Sequence, residues 1–197
     1  MHCLSPEDLR MKIHKPTVEE VQASRGKMIP DVIGPKLRVL FCGINPGLYS
    51  AAVGCHFARP GNRFWPALRI SGFTDRVLLP YEQQQLLDYG CGLTNLVARA
   101  TATAAEIKDD ELRAGRTALM RKIRRHKPKC VAILGIGAYR KAFRDNEAGP
   151  GLKEEGLSGA KLWVLPNPSG LNVYYGPDEL ARLFTEFREH VRGKRKR

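Results

Sequence analysis

Two short segments of this chain carry side chains that could do chemistry. Gly43-Ile44-Asn45-Pro46-Gly47-Leu48-Tyr49-Ser50 and Pro166-Asn167-Pro168-Ser169-Gly170-Leu171-Asn172 are both loops by their Gly, Pro and Asn content. Each places a carboxamide, Asn45 or Asn167, beside a proline that restricts its backbone. An amide donates and accepts hydrogen bonds but is neutral, so it can orient a ligand or a water and is no effective base. One Asn-Pro pair alone is a plain turn. Two of them at strand ends would face one cleft if the strands that precede them are neighbours.

Phosphate-cradling loops have a different spacing. Neither G-x-G-x-x-G nor G-x-x-x-x-G-K-[ST] occurs in these loops, which disfavours a nucleoside-triphosphate enzyme. Leu134-Gly135-Ile136-Gly137-Ala138 has two glycines after an apolar run but lacks the third of a dinucleotide loop. The five cysteines (Cys3, Cys42, Cys55, Cys91, Cys130) form no C-x-x-C pair and have no histidine at metal-ligand spacing. No metal and no cofactor is therefore expected. Cys42 and Cys130 lie in apolar runs and read as buried, reduced thiols.

Charge narrows the partner. Lys and Arg total 33 against 20 Asp and Glu, a formal +13 that points to nucleic acid. Residues 113–129 hold eight Lys or Arg and no acid, and the chain closes on Lys194-Arg195-Lys196-Arg197. Any single one of these cations is equally well read as a solvated helix face or a frayed tail. No run of about 18 apolar residues exists, and the first ten residues lack the order of a secretory signal. The expectation is a soluble, cytoplasmic monomer with no membrane partner, nucleoid-associated in a bacterium or nuclear in a eukaryote.

The elements that would position the loops follow from periodicity. Residues 1–34 are polar and punctuated by prolines, and read as an extension, partly irregular, with a short helix over residues 18–22. A domain over 35–193 and a basic tail over 194–197 follow. Apolar runs at residues 37–42, 130–134 and 162–165 each close on Gly or Pro and predict buried strands. Helices are predicted over 62–70, 81–88, 109–126 and 177–191, the third with acids at its start and bases at its end. Strands alternating with helical crossovers imply a single-domain three-layer α/β/α sandwich with a mainly parallel central sheet. In such folds ligands collect at the carboxyl ends of the strands, where both Asn-Pro loops begin.

Three segments in order carry a resemblance: Gly43-Ile44-Asn45-Pro46-Gly47, then Phe57-Ala58-Arg59-Pro60-Gly61-Asn62-Arg63-Phe64-Trp65, then Asn167-Pro168-Ser169-Gly170-Leu171. The chain resembles the mismatch-specific uracil and thymine DNA glycosylases from about Leu37 to the last helix. The resemblance implies the uracil-DNA glycosylase fold and removal of uracil from double-stranded DNA without metal or cofactor. It also implies roles for individual residues. Asn45 would hold the attacking water, while backbone N–H groups of the Gly47 loop and of Phe57 would stabilise the departing base. Phe57 would stack on the flipped ring, although a core phenylalanine is the competing reading. Ile44 and Ser50 would line the same pocket, and Asn95 would contribute to it where some relatives carry a basic residue.

Leu171 would fill the gap left by the flipped nucleotide, with Asn167, Ser169, Gly170 and Asn172 shaping the loop and contacting the orphaned base. Relatives can place an arginine where this chain has Val173, and valine offers no hydrogen bond to an opposite guanine. Asp88, at the end of the helix predicted over 81–88, is a second catalytic candidate, since a carboxylate could stabilise positive charge on the sugar. A solvent-facing helix-end acid is its other reading. Two further functions stay open: a DNA-lesion-binding protein of this fold that does not cleave, and a nucleotide-dependent α/β enzyme.

Overall fold

A computed structural model of the chain describes residues 15–193. Cys3, the rest of residues 1–14 and the tail 194–197 lie outside the described residues. The strands are β1 (Val39–Gly43), β2 (Cys91–Asn95), β3 (Cys130–Leu134), β4 (Gly151–Leu157) and β5 (Ala160–Leu165), in the order β2-β1-β3-β5-β4. Pairings β2-β1, β1-β3 and β3-β5 are parallel, and β4 joins the edge of β5 antiparallel. The helices are α1 (Val18–Gln22), α2 (Leu48–Val53), α3 (Phe64–Ile70), α4 (Asp109–His126), α5 (Ile136–Phe143) and α6 (Pro177–Arg192), with 3-10 turns at Pro80–Leu87 and Ala104–Glu106.

The expected three layers are present. Along each central strand the side chains alternate between two buried faces, so the strands read as continuous apolar runs. Phe41, Ala132, Leu134 and Trp163 meet α3 and α6 on one face. Leu40, Cys42, Val131, Ile133 and Val164 meet α4 and α5 on the other. Phe41 centres the first face, with the rings of Phe64, Phe73, Phe184 and Phe187 at 5.4, 5.3, 6.1 and 6.0 Å. Helix α4 spans the predicted residues, with Asp109, Asp110 and Glu111 in its first turn and Arg124, Arg125 and His126 in its last, as its dipole favours.

Five elements depart from the pattern the sequence shows. The segment after Gly43, expected to be a long loop, forms α2, and the Gly-rich stretch after Leu134 forms α5. Strand β2 has only Leu93 as a large apolar residue in Cys-Gly-Leu-Thr-Asn, and β4 is a polar edge strand that buries only Leu157. The 81–88 helix is a 3-10 run.

The segment before Pro35 packs on the domain where it is described. Helix α1 occupies the predicted residues 18–22 behind a Thr17 capping box. Val32 exchanges both backbone hydrogen bonds with Leu93 at 2.9 and 2.8 Å, and Ile29 and Val32 are buried. Asp31 pairs with Lys122 at 2.6 Å and accepts from Thr94 Oγ1 at 2.7 Å, pinning this segment beside β2. Among the described residues, no helix is long and apolar enough to cross a membrane.

Candidate active site

Strand β1 has β2 on one side and β3 on the other, so the connections that leave it and its neighbours diverge and open a crevice at their carboxyl ends. A cavity of about 640 Å³ lies there. Ile44 enters it from the end of β1, Asn95 from β2, Gly135 from β3 and Pro166 from β5. The two Asn-Pro loops therefore do face one cleft.

Asn45 is half-buried in this cavity with its amide polarity fixed. Its Nδ2 donates to the Arg99 carbonyl at 3.1 Å and to Thr101 Oγ1 at 2.7 Å, with the Pro46 carbonyl also at 3.1 Å. Thr101 Oγ1 spends its own proton on the Thr103 carbonyl at 2.7 Å, so toward Asn45 it can only accept. Carbonyl oxygens at both ends of this chain admit no other proton arrangement. Oδ1 of Asn45 is left as an acceptor with no donor among the described residues.

Glycines let the surrounding side chains close in. A Cβ at Gly43 would collide with Asn95 Oδ1 and come to 3.2 Å from Phe57 Cζ. One at Gly135 would meet Ile44 Cδ1 at 2.8 Å, so the glycine after β3 makes room for Ile44. Phe57 adopts φ +53°, a left-handed conformation that is costly for a bulky residue. Its ring stacks on Phe64 at 4.2 Å, as a core phenylalanine would, and also borders the cavity. Ser50 braces this loop by accepting from Ala58 N–H at 3.0 Å, while the Phe57 N–H has no acceptor among the described residues.

His56, which sequence reasoning did not single out, is nearly inaccessible at 2% exposure and borders the cavity. Its Nε2 lies 3.0 Å from the Pro30 carbonyl, which can only accept, so Nε2 carries the proton and Nδ1 faces Asn95 Nδ2 at 3.4 Å. Burial lowers its pKa, and the ring is held neutral. Thr101 was missed as well. A threonine six residues past a strand carries no signal until the fold brings it to Asn45.

The second loop is rigid and presents apolar side chains. The Arg63 guanidinium donates to the carbonyls of Asn172, Tyr175 and Gly170 at 3.2, 2.8 and 3.2 Å. Asn167 Oδ1 accepts from Ser169 N–H, Asn172 Nδ2 donates to the Asn167 carbonyl, and Ser169 Oγ accepts from Leu171 N–H. Each of these three side chains thus braces the loop. Gly170 lies outside the cavity lining, packed on the Gly61 backbone so closely that a Cβ would collide with it. Leu171, Val173 and Tyr174 stand 67%, 85% and 89% exposed at the cavity rim.

Asp88 is corrected. It is the C-cap of the Pro80–Leu87 turn and precedes β2, whereas the cavity gathers residues that leave the strands. A five-residue strand at about 3.3 Å per residue puts roughly 15 Å between the two ends. Asp88 is exposed, as a helix-end acid facing solvent would be.

A parallel α/β sandwich with its ligand cavity at the strand switch point and a rigid apolar loop at the rim defines the class. Residues 30–192 match the family model of the uracil DNA glycosylase superfamily, and the chain belongs to that superfamily. Its fold is similar to a solution NMR structure from Methanosarcina acetivorans, a protein provisionally assigned as a uracil DNA glycosylase. That likeness has a TM-score of 0.54 at 18% identity and covers 83% of this chain and 99% of the other.

Proposed function

We propose that this protein is a monofunctional glycosylase that flips uracil, particularly mismatched uracil, out of double-stranded DNA and hydrolyses its glycosidic bond. The observation that carries the reading is the fixed polarity of Asn45. With Nδ2 committed to Arg99 and Thr101, Oδ1 accepts a hydrogen bond from a water and turns that water's lone pair toward the sugar. The amide takes no proton. Attack on an oxocarbenium-like sugar needs little push, and the water loses its proton to solvent after the bond to the base has broken.

The remaining residues serve the leaving base. Phe57 offers a ring face, Asn95, oriented by His56, offers a neutral polar edge, and the Phe57 N–H is placed to bind developing negative charge. Leu171 occupies the vacated stack. Val173 and Tyr174 give the orphaned base apolar surface in place of a guanidinium, which supports acceptance of uracil opposite either purine.

Duplexes carrying U:G, U:A and T:G, with single-stranded uracil alongside, test this through alkaline cleavage of the abasic product. Cleavage of both uracil duplexes is expected. Tight binding with no cleavage of any substrate would replace the reading with a lesion-binding protein.

A further inference from the structure

Arg59 lines the cleft, but most of the cations near it are spent. Arg25, Arg99 and Lys141, which flank its entrance, pair with Glu106, Glu111 and Asp109, and the Arg63 guanidinium is consumed by carbonyls. Helix α4 starts beside the cleft and ends just before β3. At about 1.5 Å per residue Arg125 lies roughly 24 Å along the axis from Asp109, at the amino end of the sheet.

Cations collect at that far end. Arg38, Lys129 and Lys161 begin or immediately precede β1, β3 and β5, and backbone hydrogen bonds tie Cys130 to Arg38 at 2.9 Å and Lys161 to Lys129 at 3.0 Å. The last turn of α6 brings Arg188 and Arg192 against Arg38 around a recess of about 30 Å³. Arg38 and Arg188 are each held by one carbonyl, of Tyr89 at 2.7 Å and Gly72 at 2.8 Å. Their remaining N–H groups are unspent among the described residues.

Three titratable groups report the local field. Burial raises the Cys91 and Cys130 thiols and lowers His190, and in each case the charges that also act are cations: Arg38 on Cys91, Lys161 and Lys129 on Cys130, Lys161 on His190. None of the exposed large apolar side chains belongs to the residues that form this face. A protein partner would have no apolar anchor there, whereas a phosphate backbone needs none.

We propose that the amino end of the sheet is a second DNA-binding surface, on which the recess between Arg38, Arg188 and Arg192 seats a phosphate of a second duplex and Lys129 and Lys161 extend the contact. The ligand is duplex DNA because a protein held on DNA by its cleft meets neighbouring duplex segments at high effective concentration. The inference rests on the DNA-binding part of the proposed function and is independent of uracil cleavage.

A bridging assay tests it. A biotinylated undamaged duplex is immobilised, full-length protein is added at low salt, and capture of a second, fluorescent duplex is measured. The comparison is Lys129→Gln/Lys161→Gln/Arg192→Gln, with Arg124→Gln/Arg125→Gln as a second variant and melting temperature as a check on folding. Wild type should capture the second duplex in a strongly salt-dependent way. The triple variant should lose capture about tenfold or more, as expected for three lost phosphate contacts, while single-turnover uracil release is unchanged.

Undiminished capture by a folded triple variant, no capture by wild type, or preferred capture of an equally charged single-stranded RNA would overturn the proposal. If wild type captures the second duplex but releases no uracil, the glycosylase reading fails and this one stands.

Discussion

Asn45 Nδ2 lies 2.7 Å from Thr101 Oγ1, and that hydroxyl donates onward to the Thr103 carbonyl. Thr101 is thereby a positioning residue, setting which atom of Asn45 faces the cavity. Thr101→Val keeps the shape and removes the acceptor. A lost hydrogen bond of about 1–1.5 kcal/mol predicts roughly a five- to tenfold fall in single-turnover rate with duplex affinity unchanged. Thr101→Ser should restore the rate, which a purely structural role would not require.

Gly43→Ala tests the close approach at the end of β1. The added methyl would collide with Asn95 Oδ1 and press on Phe57 Cζ at 3.2 Å, so both must shift. Overpacking of this kind costs about 1–3 kcal/mol. Melting temperature should fall, and affinity for uracil duplex should fall relative to undamaged duplex. An unchanged preference for uracil would detach Asn95 and Phe57 from base recognition.

The fold's largest features were legible because they rest on burial. Continuous apolar runs marked β1, β3 and β5, and the dipole-matched charges of α4 marked both its ends. Strand β4 was not legible, because an edge strand with one wet face and a polar sequence has no pattern to show. Of the site, Asn45 and the Leu171 loop stood out by motif. His56 and Thr101 did not, since each acquires its role from a partner distant in sequence: Pro30 and Asn95 for His56, and Asn45 for Thr101. Asp88 misled because a helix-end acid next to a site segment in sequence lies a strand's length away in space.

Stability should depend on pH through His56. Its folded pKa is lowered by burial, so the folded state favours the neutral ring while the unfolded chain takes a proton near pH 6.5. Stability is fully present above about pH 6.5 and declines as pH falls through the folded value. His190, also lowered by burial, acts in the same direction. Glu111, held down to about 2 by Arg99, adds a separate loss as pH falls below about 4.5. Melting temperatures between pH 5 and 8 should drop toward acid for wild type and drop less for His56→Gln. Identical profiles would mean that the fold does not lower the His56 pKa.

Leu171→Ala separates wedge from scaffold. Leu171 is 67% exposed, so truncation should leave stability, read by thermal melting, within about 0.5 kcal/mol of wild type. Cleavage should fall in duplex DNA far more than in single strands, where no gap in the stack needs filling. Equal losses on both substrates would return Leu171 to the scaffold.

The central claim is that Asn45 Oδ1 holds the water that attacks the sugar. Single-turnover uracil release by wild type and Asn45→Ala, measured with melting temperature and affinity for the same uracil duplex, tests it most directly. The account predicts a folded variant that binds as wild type does and cleaves roughly a hundredfold to a thousandfold more slowly, the usual effect of removing one organising group from a preorganised site. A variant that folds, binds and cleaves at the wild-type rate would contradict it.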